Sequence, residues 1–389
     1  MDKVIDTGAG QFELTEDQRA IQEMAGAFAL DRVAPDALEW DRTKHFPADV
    51  IRETGPLGFG GIYIDEDVGG SGLGRLDAVL IFEALSRACP AFASFISIHN
   101  MSAWMIDTFG NDEQRQRLLP GLTSMDLLAS YCLTEPGSGS DAAALKTRAA
   151  RSGSHYVLNG TKQFISGAGV SDVYVVMVRT GEDGPKGIST LVVPKDAPGL
   201  SFGANEMKMG WNMQPTRQVV FEDCEVPVEN LLSDEGAGFK IAMAGLDGGR
   251  LNIAACSLGG AQSALDKALS YSGERKAFGK TIDQFQALQF KLADMETEIQ
   301  ASRTLLYTAA SKLDRKTHDA SKWSAMAKRF VTDTCFAVAN DALQVHGGYG
   351  YLQEYGVEKL VRDLRVHQIL EGTNEIMRMI VSRHLLASR

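Results

Sequence analysis

The chain has 389 residues, long enough for two or three packed regions rather than one core. Hydrophobic residues make up 44% and charged residues 23%, the balance of a globular protein and not of a disordered one. A formal net charge of -11 argues against nucleic-acid or general anionic-surface binding, although a few local Arg and Lys could still hold an anionic ligand.

Taken in chain order, Met1 to Leu14 has no apolar run and is not rich in Arg, so no secretory or transit segment is expected. No apolar stretch approaches ~18 residues, so no membrane insertion is expected. Thr15-Glu16-Asp17-Gln18 reads as a capping box, and Ile21, Met24, Ala25 and Phe28 continue at helical spacing. Further helices are predicted over Leu76–Ala88, Ala93–Thr108 and Asp112–Leu119, with the glycine-rich Gly55–Gly74 as loop. Residues 1–125 thus form an N-terminal α-helical domain.

From 126 to 233 the runs are short, β-branched and bounded by Gly, Asn or Pro: Tyr156–Leu158, Val173–Arg179, Ser189–Pro194 and Gln218–Glu222. Asn159-Gly160 is a strong hairpin signal between two of them, so an antiparallel middle β domain is expected, its strands ending near Pro227. From 234 to 389 the helical period returns, with long candidates over Phe239–Gly273, Phe285–Leu313 and Ala320–Leu343 and two shorter ones after them. Long helices with brief connections predict a C-terminal four-helix bundle, and the whole an α+β fold.

Cys89, Cys132, Cys224, Cys256 and Cys335 are scattered and odd in number, which points to a reducing compartment rather than a disulfide framework. No metal-ligand spacing occurs. The G-x-G-x-x-G, P-loop and G-x-S-x-G patterns are also missing, so any nucleotide cofactor must be held in some other way.

Four stretches carry possible chemistry, each with a bland alternative. Tyr131 to Asp141 (YCLTEPGSGSD) could bring backbone and hydroxyls to a flat or anionic ligand, or be a polar turn. Arg275-Lys276-Ala277-Phe278-Gly279-Lys280 could neutralise a pyrophosphate, or answer a helix dipole. Gln344-Val345-His346-Gly347-Gly348 could be a ligand loop or a helix cap. Glu371, in Ile369-Leu370-Glu371-Gly372-Thr373-Asn374-Glu375, could partner a helix N-terminus. The local pattern favours that structural role; the functional alternative is a general base, its pKa raised by apolar surface from Ile369 and Leu370.

In joint order and spacing these four runs, with Glu274-Arg275-Lys276-Ala277-Phe278-Gly279 among them, resemble the acyl-CoA dehydrogenase family across essentially the whole chain. Gly210 to Thr216 (GWNMQPT), Leu246 to Arg250 (LDGGR) and Arg365 to Glu375 resemble its isobutyryl-CoA branch. The resemblance implies FAD as cofactor and α,β-dehydrogenation of a short branched acyl-CoA, with Glu371 as general base and the β-hydride passing to flavin N5. The thioester carbonyl would be bound by the Glu371 backbone N–H and a ribityl hydroxyl. Tyr131, Cys132, Leu133, Thr134, Gly139, Ser140, Phe164, Ile165 and Ser166 would line the flavin. Arg275, Phe285, Gln286, Gln344, Val345, His346, Gly347 and Gly348 would hold its pyrophosphate and adenosine, partly from a neighbouring subunit. Thr373, Asn374 and Glu375 would add cofactor contacts; Ser140, Asp247, Gly248, Gly249, Arg250 and Arg383 would meet the acyl-CoA.

In the isovaleryl branch the base occupies the position of Gly249, where this chain has no ionisable side chain. Phe164 stands where several relatives carry Trp. The family further implies a homotetramer that passes electrons to an electron-transfer flavoprotein, in the bacterial cytoplasm or, for a mature eukaryotic form, the mitochondrial matrix, with valine degradation as the pathway. Alternatives are 2-methylbutyryl-CoA or short straight-chain substrates, an acyl-CoA oxidase, whose usual extra C-terminal helical region is not expected here, and a non-catalytic helical scaffold.

Overall fold

The capping box at Thr15 closes as the sequence predicts. The Gln18 N–H donates to Thr15 Oγ1 and the Thr15 N–H to Gln18 Oε1, each at 3.1 Å, and α1 (Glu16–Phe28) follows. The computed structural model describes residues 13–387, so most of the N-terminal segment read above lies outside the described residues. Next come α2 (Ala37–Thr43), α3 (Ala48–Arg52), α4 (Arg75–Ser86), α5 (Pro90–Phe109) and α6 (Asp112–Thr123). Helix α5 begins earlier than predicted, because Pro90 sits in the first turn, where its missing N–H costs nothing. The 55–74 segment is a loop, but an interior one: Phe59, Ile62 and Ile64 are fully buried. Its main chain is satisfied by Asn100, which accepts from the Ile62 N–H at 2.8 Å and donates to the Phe59 carbonyl at 2.7 Å.

The middle of the chain forms one sheet from β1 (Ala129–Cys132), β2 (Arg148–Ser152), β3 (His155–Ser166), β4 (Val173–Arg179), β5 (Ile188–Pro194), β6 (Leu200–Phe202), β7 (Thr216–Pro227) and β8 (Leu231–Leu232). The order is β6-β7-β3-β2-β4-β5-β8, with β1 also on β4. Two features correct the sequence reading. Pairing is mainly antiparallel, yet β4 takes β1 and β2 as parallel neighbours. Asn159-Gly160 is not a hairpin turn: β3 runs straight through it, with an irregular register against β7 between Leu158 and Gly160. Gly160 has φ +147°, a value its lack of Cβ permits. The hairpin lies earlier, where Gly153 joins β2 to β3 and Ser152 pairs with His155.

The C-terminal elements are α7 (Gly238–Glu274), the ribbon β9 (Lys276–Ala277) and β10 (Lys280–Thr281), α8 (Gln286–Asp314), α9 (Ala320–His346), α10 (Val357–Arg365) and α11 (Asn374–Ala387). Helix α7 packs on α4, α5, α8 and α9 together, and a run of its residues from Gly248 to Ala261 is continuously buried. A helix that is apolar all round belongs at a centre. One core therefore joins the helices before the sheet to those after it, while a second fills the sheet region around Tyr156, Tyr174 and Phe221.

Candidate active site

Glu371 lies in the turn between α10 and α11, and its backbone is left-handed (φ +56°), followed by Gly372 at φ +85°. For a residue with a Cβ this conformation costs about 1–2 kcal/mol, so the surrounding structure must hold it. It does so at both carbonyls. Arg250 Nε of α7 reaches the Glu371 oxygen at 3.4 Å, and Lys328 Nζ of α9 donates to the Gly372 oxygen at 2.8 Å.

The carboxylate turns away from the start of α11 and toward α7. A Cβ placed on Gly249 would come 2.6 Å from Glu371 Oε2 and 2.9 Å from Met101 Sδ, so the missing side chain at 249 is the space the carboxylate uses. Oε2 is buried and, among the described residues, has no hydrogen-bond partner. Burial raises the Glu371 pKa from 4.5 to about 7, against the opposing charges of Arg250 and Lys328. The apolar wall expected from Ile369 is misassigned: Ile369 is 51% exposed, and the buried Met101 supplies the thioether beside the carboxylate instead. Ile369 points outward because it ends a 3-10 turn, Val366–Gln368, whose buried side chain is His367.

The remaining predicted residues form two further groups. On β1, the loop after it and the end of β3, Cys132, Leu133 and Ile165 are buried, Gly139 and Ser140 are exposed, and Thr134 and Ser166 are half-buried. Phe164 is 63% exposed at φ +60°, an aromatic face displayed by a strained backbone. Among the described residues the buried Tyr131 hydroxyl has no partner, and its environment includes the Glu371 charge, which ties this group to the base. The loop after β1 is pinned by Glu135, which accepts from the Lys146 N–H at 2.6 Å, the Thr147 N–H at 2.9 Å and buried Lys162 Nζ at 2.7 Å.

The other group sits at the far end of α7. Arg275, Val345, His346, Gly347 and Gly348 line a groove of about 450 Å³ with Tyr271 and Tyr349. The His346 ring stacks on Tyr271 at 4.5 Å, and Arg275 lies over the Tyr349 ring at 5.4 Å. A Cβ on Gly347 or Gly348 would meet nothing within 4 Å, so backbone is presented to open space. Gln344 is exposed nearby, while Phe285 and Gln286 start α8. The open glycines, the cation beside an aromatic ring, the orphan Tyr131 hydroxyl and the displayed Phe164 suit a ligand with an anionic centre and flat ends. FAD is such a ligand.

The substrate-side residues divide as well. Asp247 and Arg250 pair at 2.5 Å, Gly248 and Gly249 are buried, and Arg383 is exposed on α11. The Asn374 side chain is consumed internally by Lys328, Thr332 and Asp333, whereas Glu375 is exposed and Thr373 half-buried. Lys328 and Met101 were not singled out from sequence.

Residues 15–126, 130–224 and 236–386 match, in turn, the N-terminal, middle and C-terminal domain families of acyl-CoA dehydrogenase. The chain belongs to the acyl-CoA dehydrogenase family. It is 59% identical to the mitochondrial isobutyryl-CoA dehydrogenase of Dictyostelium discoideum and 56% identical to that of Bos taurus, in each case over 96% of this chain and 90% of the relative. It superposes on the butyryl-CoA dehydrogenase of Megasphaera elsdenii with a TM-score of 0.94 at 38% identity, covering 96% of this chain and 99% of that one. This acyl-CoA dehydrogenase is accordingly an FAD-dependent oxidoreductase. No described helix is long and apolar enough to cross a membrane.

Proposed function

We propose that the chain oxidises isobutyryl-CoA to its 2-enoyl-CoA, with Glu371 as the base that takes the α-proton. The observation that carries this reading is the buried, unpartnered Glu371 Oε2 held against Gly249. A carboxylate with a pKa near 7 is a competent base at neutral pH, and water excluded by substrate keeps it reactive. Among the described residues the Glu371 N–H donates to no protein acceptor, which leaves it available to a thioester carbonyl as enolate charge develops. Tyr131, Phe164 and the loop after β1 would hold the isoalloxazine, and Arg275 with Gln344 to Gly348 the pyrophosphate and adenosine of an FAD shared between subunits. Bound FAD supplies the two-electron acceptor. Asp247, Arg250 and Arg383 would meet the CoA.

Similarity to the Dictyostelium and bovine enzymes supports the isobutyryl preference, and with it valine degradation. It also supports a mitochondrial matrix setting or, in a bacterium, the cytoplasm, with electron-transfer flavoprotein as acceptor and a homotetramer as the working form. Five free, buried cysteines are consistent with a reducing compartment. The test is kcat/KM over isobutyryl-, 2-methylbutyryl-, isovaleryl- and butyryl-CoA. One methylene is worth about 10–200-fold in a hydrophobic pocket. Isobutyryl-CoA should lead the one-methylene-longer 2-methylbutyryl- and isovaleryl-CoA by a factor in that range, and should also lead its straight-chain isomer butyryl-CoA; butyryl- or isovaleryl-CoA in first place would overturn the substrate assignment.

A further inference from the structure

Lys328 is the least expected residue near the base. Its side chain is fully buried in α9, yet among the described residues it forms no ion pair. Its Nζ donates only to the Gly372 carbonyl at 2.8 Å and to Asn374 Oδ1 at 2.9 Å. A buried ammonium without a counter-ion is rare, because desolvation favours the neutral amine. That desolvation pulls the Lys328 pKa down to about 7, and the largest opposing influence is the charge of Glu371. Each group thus answers the other across the turn that both share.

The geometry assigns Lys328 as a positioning residue for Glu371. Its ammonium clamps the Gly372 carbonyl, fixing the left-handed turn that aims the carboxylate at Gly249, and its charge favours the ionised form of the base. This rests on the reading of Glu371 as the base. Asn374 completes the clamp: its Oδ1 accepts from Lys328, and its Nδ2 donates to Thr332 Oγ1 at 2.9 Å and Asp333 Oδ1 at 2.6 Å. The turn is thereby bolted to α9.

Other charges face the same point. Helix α7 contributes Arg250 and Asp247, α9 contributes Asp333, and α11 contributes Glu375 and Arg378. Tyr131 on β1 and Tyr63 ahead of α4 also sense the Glu371 charge. Arg75 of α4 reaches Gly248 and lies over the Tyr63 ring at 3.7 Å. Of the two cations whose charge acts on Glu371, Arg250 is committed to Asp247 at 2.5 Å, while Lys328 has no ion-pair partner among the described residues.

The experiment compares holoenzyme carrying Lys328→Met, Lys328→Gln or Lys328→Arg with the unmodified enzyme, by stopped-flow flavin bleaching with isobutyryl-CoA across pH 5–9. Lys328→Met should slow bleaching at pH 7 by about 10–100-fold, and its pH profile should move alkaline by about one unit, since a favourable positive charge is lost. Lys328→Gln keeps a donor for the Gly372 carbonyl but no charge, so it decides the matter should the Met variant not fold. Its profile should also move alkaline. Lys328→Arg should keep the original apparent pKa with a lower plateau. Profiles that stay in place in the Met and Gln variants would overturn the proposal, whatever the plateau rate. Glu371→Gln measured alongside separates the two failures: if it bleaches normally, the base assignment fails; if it is inactive while Lys328 variants are unshifted, only the clamp fails.

Discussion

At the scale of single residues, the account turns on where a proton sits. Burial lifts Glu371 to about 7, while an exposed glutamate titrates at 4.5. The base works only when ionised, so flavin reduction in free enzyme plus limiting substrate should rise with pH and level off above about 7. A profile already flat from pH 5 would contradict the burial argument. Stability runs the other way. A carboxyl whose folded pKa exceeds its unfolded value binds its proton more tightly when folded, so its contribution is full below about 4.5 and is lost as pH rises through 7. Glu371 could be found in the sequence because a short motif surrounds it. Lys328 could not, because a lysine inside a helix ordinarily reads as surface. The one available signal is its place in the stripe Ser324, Ala327, Val331, Cys335 and Val338, where every other residue is small or apolar and buried.

At the scale of elements, the order helices, strands, helices is legible because periodicity changes where the elements do. Thr15, Pro90 and the long apolar run of α7 each act through local chemistry that the sequence displays. Asn159-Gly160 misleads because its signal is local while the outcome is not: pairing with β7 on both sides, Leu158 with Cys224 and Gly160 with Phe221, keeps β3 going. The Glu135–Lys162 pair shows the same dependence on distant partners. Burial pushes Glu135 up, but Lys162 and two backbone donors outweigh it and leave its pKa below the usual value. Lys162→Met removes the cation paired with that buried carboxylate. It should cost about 3–5 kcal/mol in denaturant unfolding, partly recovered in Lys162→Met with Glu135→Gln. A loss below about 1 kcal/mol would mean that water reaches Glu135 and that the pair behaves as a surface bridge.

At the scale of the molecule, the residues assigned to one cofactor fall into two groups built on different elements. Those for the flavin rest on β1 and β3, while those for the adenosine rest on the ends of α7 and α9. Exposed apolar side chains accompany the second group: Phe278 is 95% exposed, Tyr351 83% and Phe290 60%. Phe278 packs edge-on against Phe285 at 6.1 Å, just after Arg275, and exposed apolar side chains at such a point suit an interface. The proposed FAD site, completed by a neighbouring subunit, would account for both features. Phe278→Asp should therefore lower the mass seen by light scattering after gel filtration and reduce bound FAD in the same sample. Full FAD content in a dissociated species would contradict a shared site.

The most direct test of the central claim is Glu371→Gln, which keeps the side chain's shape and removes its basicity. Purified as the yellow holoenzyme and mixed with isobutyryl-CoA, it should bleach about 10²–10⁴-fold more slowly than the unmodified enzyme, with FAD content unchanged. Bleaching at a near-normal rate would show that another group takes the α-proton.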